Sequence, residues 1–385
     1  MKRTQILLPL LGFLIGILLL EAFLQSYYWA SNNDLVGLTP RKTTIGWLDD
    51  PVLGRRLVPS QEGWFVANTS EYKTWITTNS KGWRDTEHIE EKPGGTYRIL
   101  VLGDSFVENF QVPLEDTFFK QLEGGLGKTV EVVAMGMGNT GSAQQLIALK
   151  ELGIKYQPDL VVQLFYTGND IRNNYEPLNK NPFVPYVEFS QGELAYISPN
   201  PPIASETKEL LKRWAIVEKL LELRQRFLEK EAMDSTGYPE DYQVYKAEYT
   251  EDYQKAWELT KQIIVETKET ANKVTANYIL VSLANNEQVN TSLWQKLFDT
   301  YPKMASANLD LEKPDKLLGE FCEDEKIECY FMLPYFKEFV GNNAGATTHY
   351  LLDGHWNETG TNLAADFLED KLKEIISSSQ EDSSQ

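Results

Sequence analysis

Histidine and cysteine are scarce in this chain: three and two among 385 residues. Cys322 and Cys329 alone build neither a disulfide framework nor a zinc site. They are expected as buried thiols flanking the start of a strand, with a single bridge as the alternative in an oxidising compartment. Basic charge is in deficit: 37 Lys and Arg against 56 Asp and Glu give a formal net charge of −19. Such a surface repels phosphate backbones and anionic headgroups, and no Lys/Arg stripe with interleaved aromatics offsets it. Nucleic acid is therefore excluded as a partner. With only His88, His349 and His355 present, an imidazole base has three candidates. No internal repeat occurs. What remains is an ordinary globular composition, 42% hydrophobic and 24% charged. The length suits one large domain or two small ones.

One apolar stretch stands out, Ile6 to Leu24, broken only by Glu21. It is just long enough to span a bilayer, and Lys2 and Arg3 ahead of it favour a cytoplasmic N-terminus. A cleavable signal is the rival. Its −3/−1 pairs (Leu20 and Ala22, Leu24 and Ser26, Tyr28 and Ala30) are poor, and no cysteine follows to take a lipid. Residues 1–30 are expected to be an uncleaved, single-pass anchor in the cell membrane, with the rest of the chain outside the cytoplasm.

Residues 31–95 alternate aromatic and polar residues between turn signals and predict a β-rich lead-in, closed by Pro93-Gly94-Gly95. From Tyr97 the pattern alternates. Apolar runs Tyr97–Leu102, Thr129–Ala134, Leu160–Tyr166, Tyr278–Leu283 and Glu328–Leu333 read as strands. Thr117–Leu126, Gln144–Leu152, about 314–325 and about 358–377 read as helices. This is the signature of an α/β fold with a parallel sheet covered on both faces. A helical insertion is expected over about 171–275, within a domain of 96–378. Residues 171–202 lose periodicity and carry several prolines, so they read as a loop or rim. Leu210, Trp214, Val217, Leu221 and Leu228 share one helical face, which predicts a helix over 205–232, and a second follows over 241–273. Both are expected to cover the sheet, the alternative being a lid or docking arm. The serine-rich tail, residues 379–385, is expected to be disordered.

The chemistry-bearing residues fall just beyond these strands, where ligands bind in open α/β sheets. Ser105 follows the first. Gly136, Gly138 and Asn139 follow the second, Gly168-Asn169-Asp170 the third, and Asp353 and His355 the fifth. A serine hydroxyl needs a base and a group that orients the base. Only His355 has a carboxylate two residues away in a turn-like segment. Each piece alone has a plainer reading: Asp104-Ser105 as a helix cap, Asn169-Asp170 as an Asx turn, His355 packed on Trp356. Their convergence on one edge is what points to acyl transfer. His88 and His349 read as structural or exposed.

Gly103-Asp104-Ser105-Phe106 resembles the first block of the SGNH hydrolase superfamily, the GDSL-type esterases. Gly168-Asn169-Asp170 resembles the third block, though the family usually has Gly-x-Asn-Asp. Asp353-Gly354-His355-Trp356 resembles the fifth. Thr78-Asn79-Ser80-Lys81-Gly82-Trp83-Arg84-Asp85 and Asp353–Asn357 are most similar to membrane-anchored bacterial members, and relatives in exopolysaccharide O-acetylation share the Asp-x-His-Trp pattern. The resemblance implies a three-layer α/β/α sandwich on a mostly parallel, five-stranded, flavodoxin-like sheet. It implies catalytic residues Ser105 (nucleophile), His355 (acid/base) and Asp353 (orienting His355), an oxyanion hole from Ser105, Asn169 and either Gly138 or Asn139, with Gly138 favoured, and loop-bracing roles for Asp104 and Asp170. No cofactor or metal is implied.

The expected function is an extracytoplasmic serine esterase or O-acyltransferase on acyl, above all acetyl, esters of carbohydrate. Trp356 and Tyr166 are candidates for stacking on sugar rings. The alternative is a non-catalytic binding or assembly protein of the envelope, with a protein partner there. A metal hydrolase using Asp104, Asp170, Asp353 and His355 has the right ligand types but no paired histidine spacing.

Overall fold

The computed structural model describes residues 4–32, 44–190, 193–200, 214–217, 219–220, 223–224 and 237–382. The chain divides into two compact units, Ile45–Pro201 with Gly237–Gln385, and Met1–Thr44 with Pro202–Thr236.

The larger unit is built on five parallel strands: β5 (Tyr97–Gly103), β6 (Val130–Gly136), β7 (Leu160–Phe165), β10 (Asn277–Ser282) and β11 (Glu328–Phe331). Their spatial order is β11-β10-β7-β5-β6, the flavodoxin-like 2-1-3-4-5 arrangement read from the other edge. Alternation along each strand sends side chains to opposite faces. Leu100, Leu102, Val133, Met135, Val161 and Leu280 meet one core, which includes side chains from helices Ser142–Glu151 and Glu251–Lys273. Ile99, Val101, Val132, Val162, Ile279 and Val281 meet the other, under helices Phe118–Leu126, Met332–Asn342 and Glu358–Asp382. Order reverses between β5 and β7, and the chain leaves these two strands toward Ser105 and Asn169.

The lead-in consists of two hairpins, β1 (Trp47–Asp50) with β2 (Gly54–Leu57) and β3 (Glu62–Val66) with β4 (Lys73–Thr77). Its last residues are tied to the edge strand β6: Asp85 Oδ2 accepts the Ala134 N–H at 2.8 Å, and His88 Nδ1 lies 2.6 Å from Glu131.

Several expectations change. Residues 170–197 are not a plain loop: helices Asp170–Asn174 and Glu176–Asn179 lead to the antiparallel hairpin β8 (Tyr186–Ser190) and β9 (Glu193–Ile197). The prolines hide it because Pro177 sits in a first helical turn and Pro182 and Pro185 lie in connections, both places where a missing N–H costs nothing. Helix Met332–Asn342 is unexpected because Phe331–Leu333 continues an apolar strand run, while Pro334 again occupies a first turn. The last helix continues to Asp382, where disorder was expected from 379; Ser377 and Ser378 upstream donate to carbonyls within the helix. Cys322 and Cys329 are not free thiols but a disulfide, tying helix Lys313–Asp324 to β11. The helix expected over 205–232 lies mostly outside the described residues.

In the smaller unit, helix Thr4–Asn32 carries Leu11, Phe13, Leu19 and Phe23 exposed, and its Glu21 carboxylate accepts the Ala215 and Ile216 N–H groups at 2.8 and 3.0 Å. Among the described residues no helix is long and apolar enough to cross a membrane, so the spanning helix expected over residues 1–30 is without support there.

Candidate active site

Strand β5 ends at Gly103, where a Cβ would lie 2.3 Å from Val107 Cγ2; only glycine lets the chain turn so tightly from strand to helix. Asp104 caps the turn, its Oδ1 accepting the Phe106 N–H at 2.9 Å. Ser105 opens the helical turn Ser105–Glu108, so its own N–H is among those a helix start leaves without an internal partner. The capping reading of Asp104 and the nucleophile reading of Ser105 thus hold together.

The His355 loop is shaped by its backbone. Tyr350 N–H donates to His355 O (2.9 Å), Gly354 N–H donates to Tyr350 O (3.1 Å), and Gly354 takes φ 83°, a conformation that favours glycine. This turn aims the imidazole at β5. His355 Nε2 lies 2.7 Å from Ser105 Oγ, and Nδ1 lies 2.7 Å from Asp353 Oδ1. A carboxylate only accepts, so Nδ1 carries the proton and Nε2 is free to accept from Ser105. The Phe106 ring packs 4.8 Å from the imidazole and fixes its tilt. Burial works against the imidazolium, but the hydrogen bond and charge of Asp353, with Asp104 and Glu108 behind it, hold His355 above its ordinary value. Asp353 is held below the usual carboxylate range, burial being outweighed by His355.

Asn169 arrives from the end of β7. Its Nδ2 donates one proton to Asp104 Oδ2 at 3.3 Å, and a second N–H remains on the same nitrogen. Gly138, from the loop after β6, lines the same cleft, close against the carboxyl of Glu108. Asn139 lines it too, in the left-handed region at φ 59°. Asp170 is fully buried and accepts from Tyr166 N–H and Ser142 Oγ. Burial, then the neighbouring Asp104, raises Asp170 well above the carboxylate range, and its bonds brace the loop. Among the described residues no group of three or more His, Cys, Asp or Glu is placed to hold a metal; Asp104, Asp170, Asp353 and His355 are committed to the bonds above.

Of three expectations about neighbouring residues, the first is revised. Trp356 is fully buried, in edge contact with Phe106, and stacks on nothing in the cleft. Tyr166 does line the cleft. His349 is buried, bonded to Ala284 O and Thr348, and burial pushes it down to about 3.

Two residues of the lead-in join the site with no motif to announce them. The Glu71 carboxylate accepts the N–H groups of Leu352 and Asp353, the latter at 2.7 Å. Tyr72 donates to Asp353 Oδ2 at 3.4 Å, receives Gln111 Nε2 at 3.1 Å, and packs on Tyr350. The hairpin β3–β4 therefore clamps the segment that carries Asp353. Glu71→Ala or Tyr72→Phe is expected to lower kcat by about 10–10²-fold with little change in KM, the cost of a slightly misplaced base. Steady-state kinetics check this, and an unchanged kcat in both variants rules the clamp out.

The cleft above Ser105 and His355 has a volume of about 980 Å³, and Trp47, Phe183, Tyr242 and Tyr301 stand along it. No family model and no curated protein matches the sequence. Among solved structures, the chain is similar to an acetyl xylan esterase, AlAXEase, at 13% identity, covering 72% of this chain and 99% of that one with a TM-score of 0.39. It is similar to the lipase/acylhydrolase from Enterococcus faecalis (11% identity, 73% and 97% covered, TM-score 0.37). It is also similar to a GDSL-like lipase from Bacteroides thetaiotaomicron (14% identity, 72% and 88% covered, TM-score 0.34).

Proposed function

We propose that the chain is a serine ester hydrolase or acyltransferase of the SGNH type, acting on acyl esters of carbohydrate. The observation that carries this reading is the unbroken Ser105–His355–Asp353 relay, two contacts of 2.7 Å each, at the open edge of the sheet. Ser105 Oγ attacks the ester carbonyl as His355 Nε2 takes its proton, and the carbonyl π pair moves onto oxygen. Asp353 steadies the imidazolium that forms. When the tetrahedral species collapses, the C–O bond to the alcohol breaks and His355 returns the proton to that oxygen, leaving acyl on Ser105. Water, or a sugar hydroxyl, then gives up its proton to His355 and attacks the acyl carbon; the bond from that carbon to Ser105 Oγ breaks and His355 returns the proton to Oγ, so that hydrolase and transferase differ only in that second nucleophile. On this reading the Ser105 N–H and the Asn169 amide donate to the developing oxyanion.

Carbohydrate is favoured by the aromatic side chains along the cleft, since rings of this kind stack on sugar faces. A location outside the cytoplasm, with the chain held at a membrane by helix Thr4–Asn32, is supported by the Cys322–Cys329 disulfide and by the exposed apolar side chains of that helix. Acetate release from p-nitrophenyl acetate and from an acetylated oligosaccharide, with and without a sugar acceptor, tests the reading. Acetyl appearing on the acceptor marks a transferase and acetate in water a hydrolase. No turnover above the Ser105→Ala background on short or long acyl esters would sink both.

A further inference from the structure

Glu108 is used by no step above, yet it sits inside the site. It is three residues after Ser105 on the same helical turn, 8% exposed, and lines the cleft together with Ser105, Gly138 and Asn169. It holds the place where the loop after β6 offers a donor. Its carboxyl lies against Gly138: a Cβ there would stand 2.5 Å from Glu108 Oε2, so glycine is what lets the two approach. An ionised carboxylate there is the wrong group: it sets negative charge in the cleft where the carbonyl oxygen must become negative. A carboxylic acid is the right one, because it adds an O–H donor to the site.

We propose that Glu108 acts as a carboxylic acid donor to the oxyanion hole, and that its ionisation switches the site off. This rests on the ester-cleaving reading of the same site. The charged groups facing Glu108 are Asp104 from the start of its own turn, Arg84 from the lead-in and His355 from the C-terminal loop. Burial dominates, and Asp104 adds to it, against the Gly138 N–H, Arg84 and His355, bringing Glu108 up to about 7. His355 must be neutral to accept from Ser105, so kcat/KM rises with pH as imidazolium is lost. It then falls with pH as Glu108 loses its proton. The two groups interact, and the two limbs belong to the pair rather than to either residue.

Two measurements on the full chain decide this. The first is the pH profile of Ser105-dependent p-nitrophenyl acetate turnover. Wild type gives a bell; Glu108→Gln, which keeps an N–H donor and cannot ionise, loses the alkaline limb whatever its overall rate; Glu108→Ala loses about 10²-fold or more at the optimum. An alkaline limb persisting in Glu108→Gln overturns the proposal. The second does not depend on turnover: the infrared difference spectrum of wild type against Glu108→Gln, across a pH titration. A protonated-carboxyl band that disappears near neutrality supports the proposal, and a carboxylate band at every pH overturns it. If wild type shows no Ser105-dependent turnover, the ester-cleaving reading fails, and with it the donor role, while the infrared titration still separates that outcome from a misassigned Glu108.

Discussion

Ser105→Ala is expected to lower ester turnover by about 10⁴-fold or more, and His355→Ala by a similar factor, with the double variant no worse than either alone. The non-additivity is the informative part. The 2.7 Å contact between Ser105 Oγ and His355 Nε2 makes one functional unit of two side chains, so removing either abolishes the same step. Asp353→Asn belongs to the same series. An amide in place of the carboxylate turns an acceptor into a donor toward Nδ1 and favours the tautomer whose Nε2 carries the proton and cannot receive another; a loss of about 10⁴-fold follows. Burst kinetics and mass spectrometry of the acylated protein read these variants directly. Single losses that multiply in the double variant would mean that Ser105 and His355 work apart, contrary to the geometry.

Arg84→Ala is expected to destabilise the protein by about 3–4 kcal/mol, the largest stability effect of any single polar residue named here. Arg84 is 3% exposed. Its guanidinium donates to the carbonyls of Glu108 (2.8 Å), Asn109 and Val112, and lies 5.6 Å from the Phe110 ring. Removing it leaves the buried carbonyls of Glu108 and Val112 without that donor and Asn109 O with only a long bond from the Val112 N–H (3.5 Å), directly behind the turn that starts at Ser105. Burial pulls the guanidinium down to about 9, against the pull of Glu108 and Glu115, and it is still charged at neutral pH. Arg84→Lys does not rescue, because one ammonium cannot reproduce a planar fork aimed at three acceptors. Urea midpoints at constant slope measure the effect; a loss under about 1 kcal/mol would show that water replaces the fork.

Legibility in the sequence followed the range of the interactions. The five central strands were readable because strands buried on both faces must be apolar throughout, as Leu160–Phe165 is. Ser105 and Asn169 were readable because each follows closely on a strand end, and Asp353 and His355 because they share one short motif just before the last helix. The alternation in residues 31–95 announced a β-rich lead-in. What was not readable depends on contacts across the chain. The Glu71–Asp353 contact joins positions 282 residues apart and follows no local rule. Glu108 looks like an exposed residue on a helical turn until Gly138 is seen against it. Hairpin β8–β9 was hidden by its prolines, and the Cys322–Cys329 bridge by the ordinary tendency of a lone pair of cysteines to be buried as thiols.

The relay joins residues 250 positions apart, and this sets an order in time as well as in space. During synthesis the Ser105 segment and β5 emerge long before the segment carrying Asp353 and His355. At roughly 5–20 residues per second, the nucleophile waits about 10–50 seconds for its base. A nascent or C-terminally clipped chain therefore holds an unactivated serine hydroxyl and no more. On the proposed reading, ester-cleaving power arrives only with the final loop, when all five strands of the sheet have already been made.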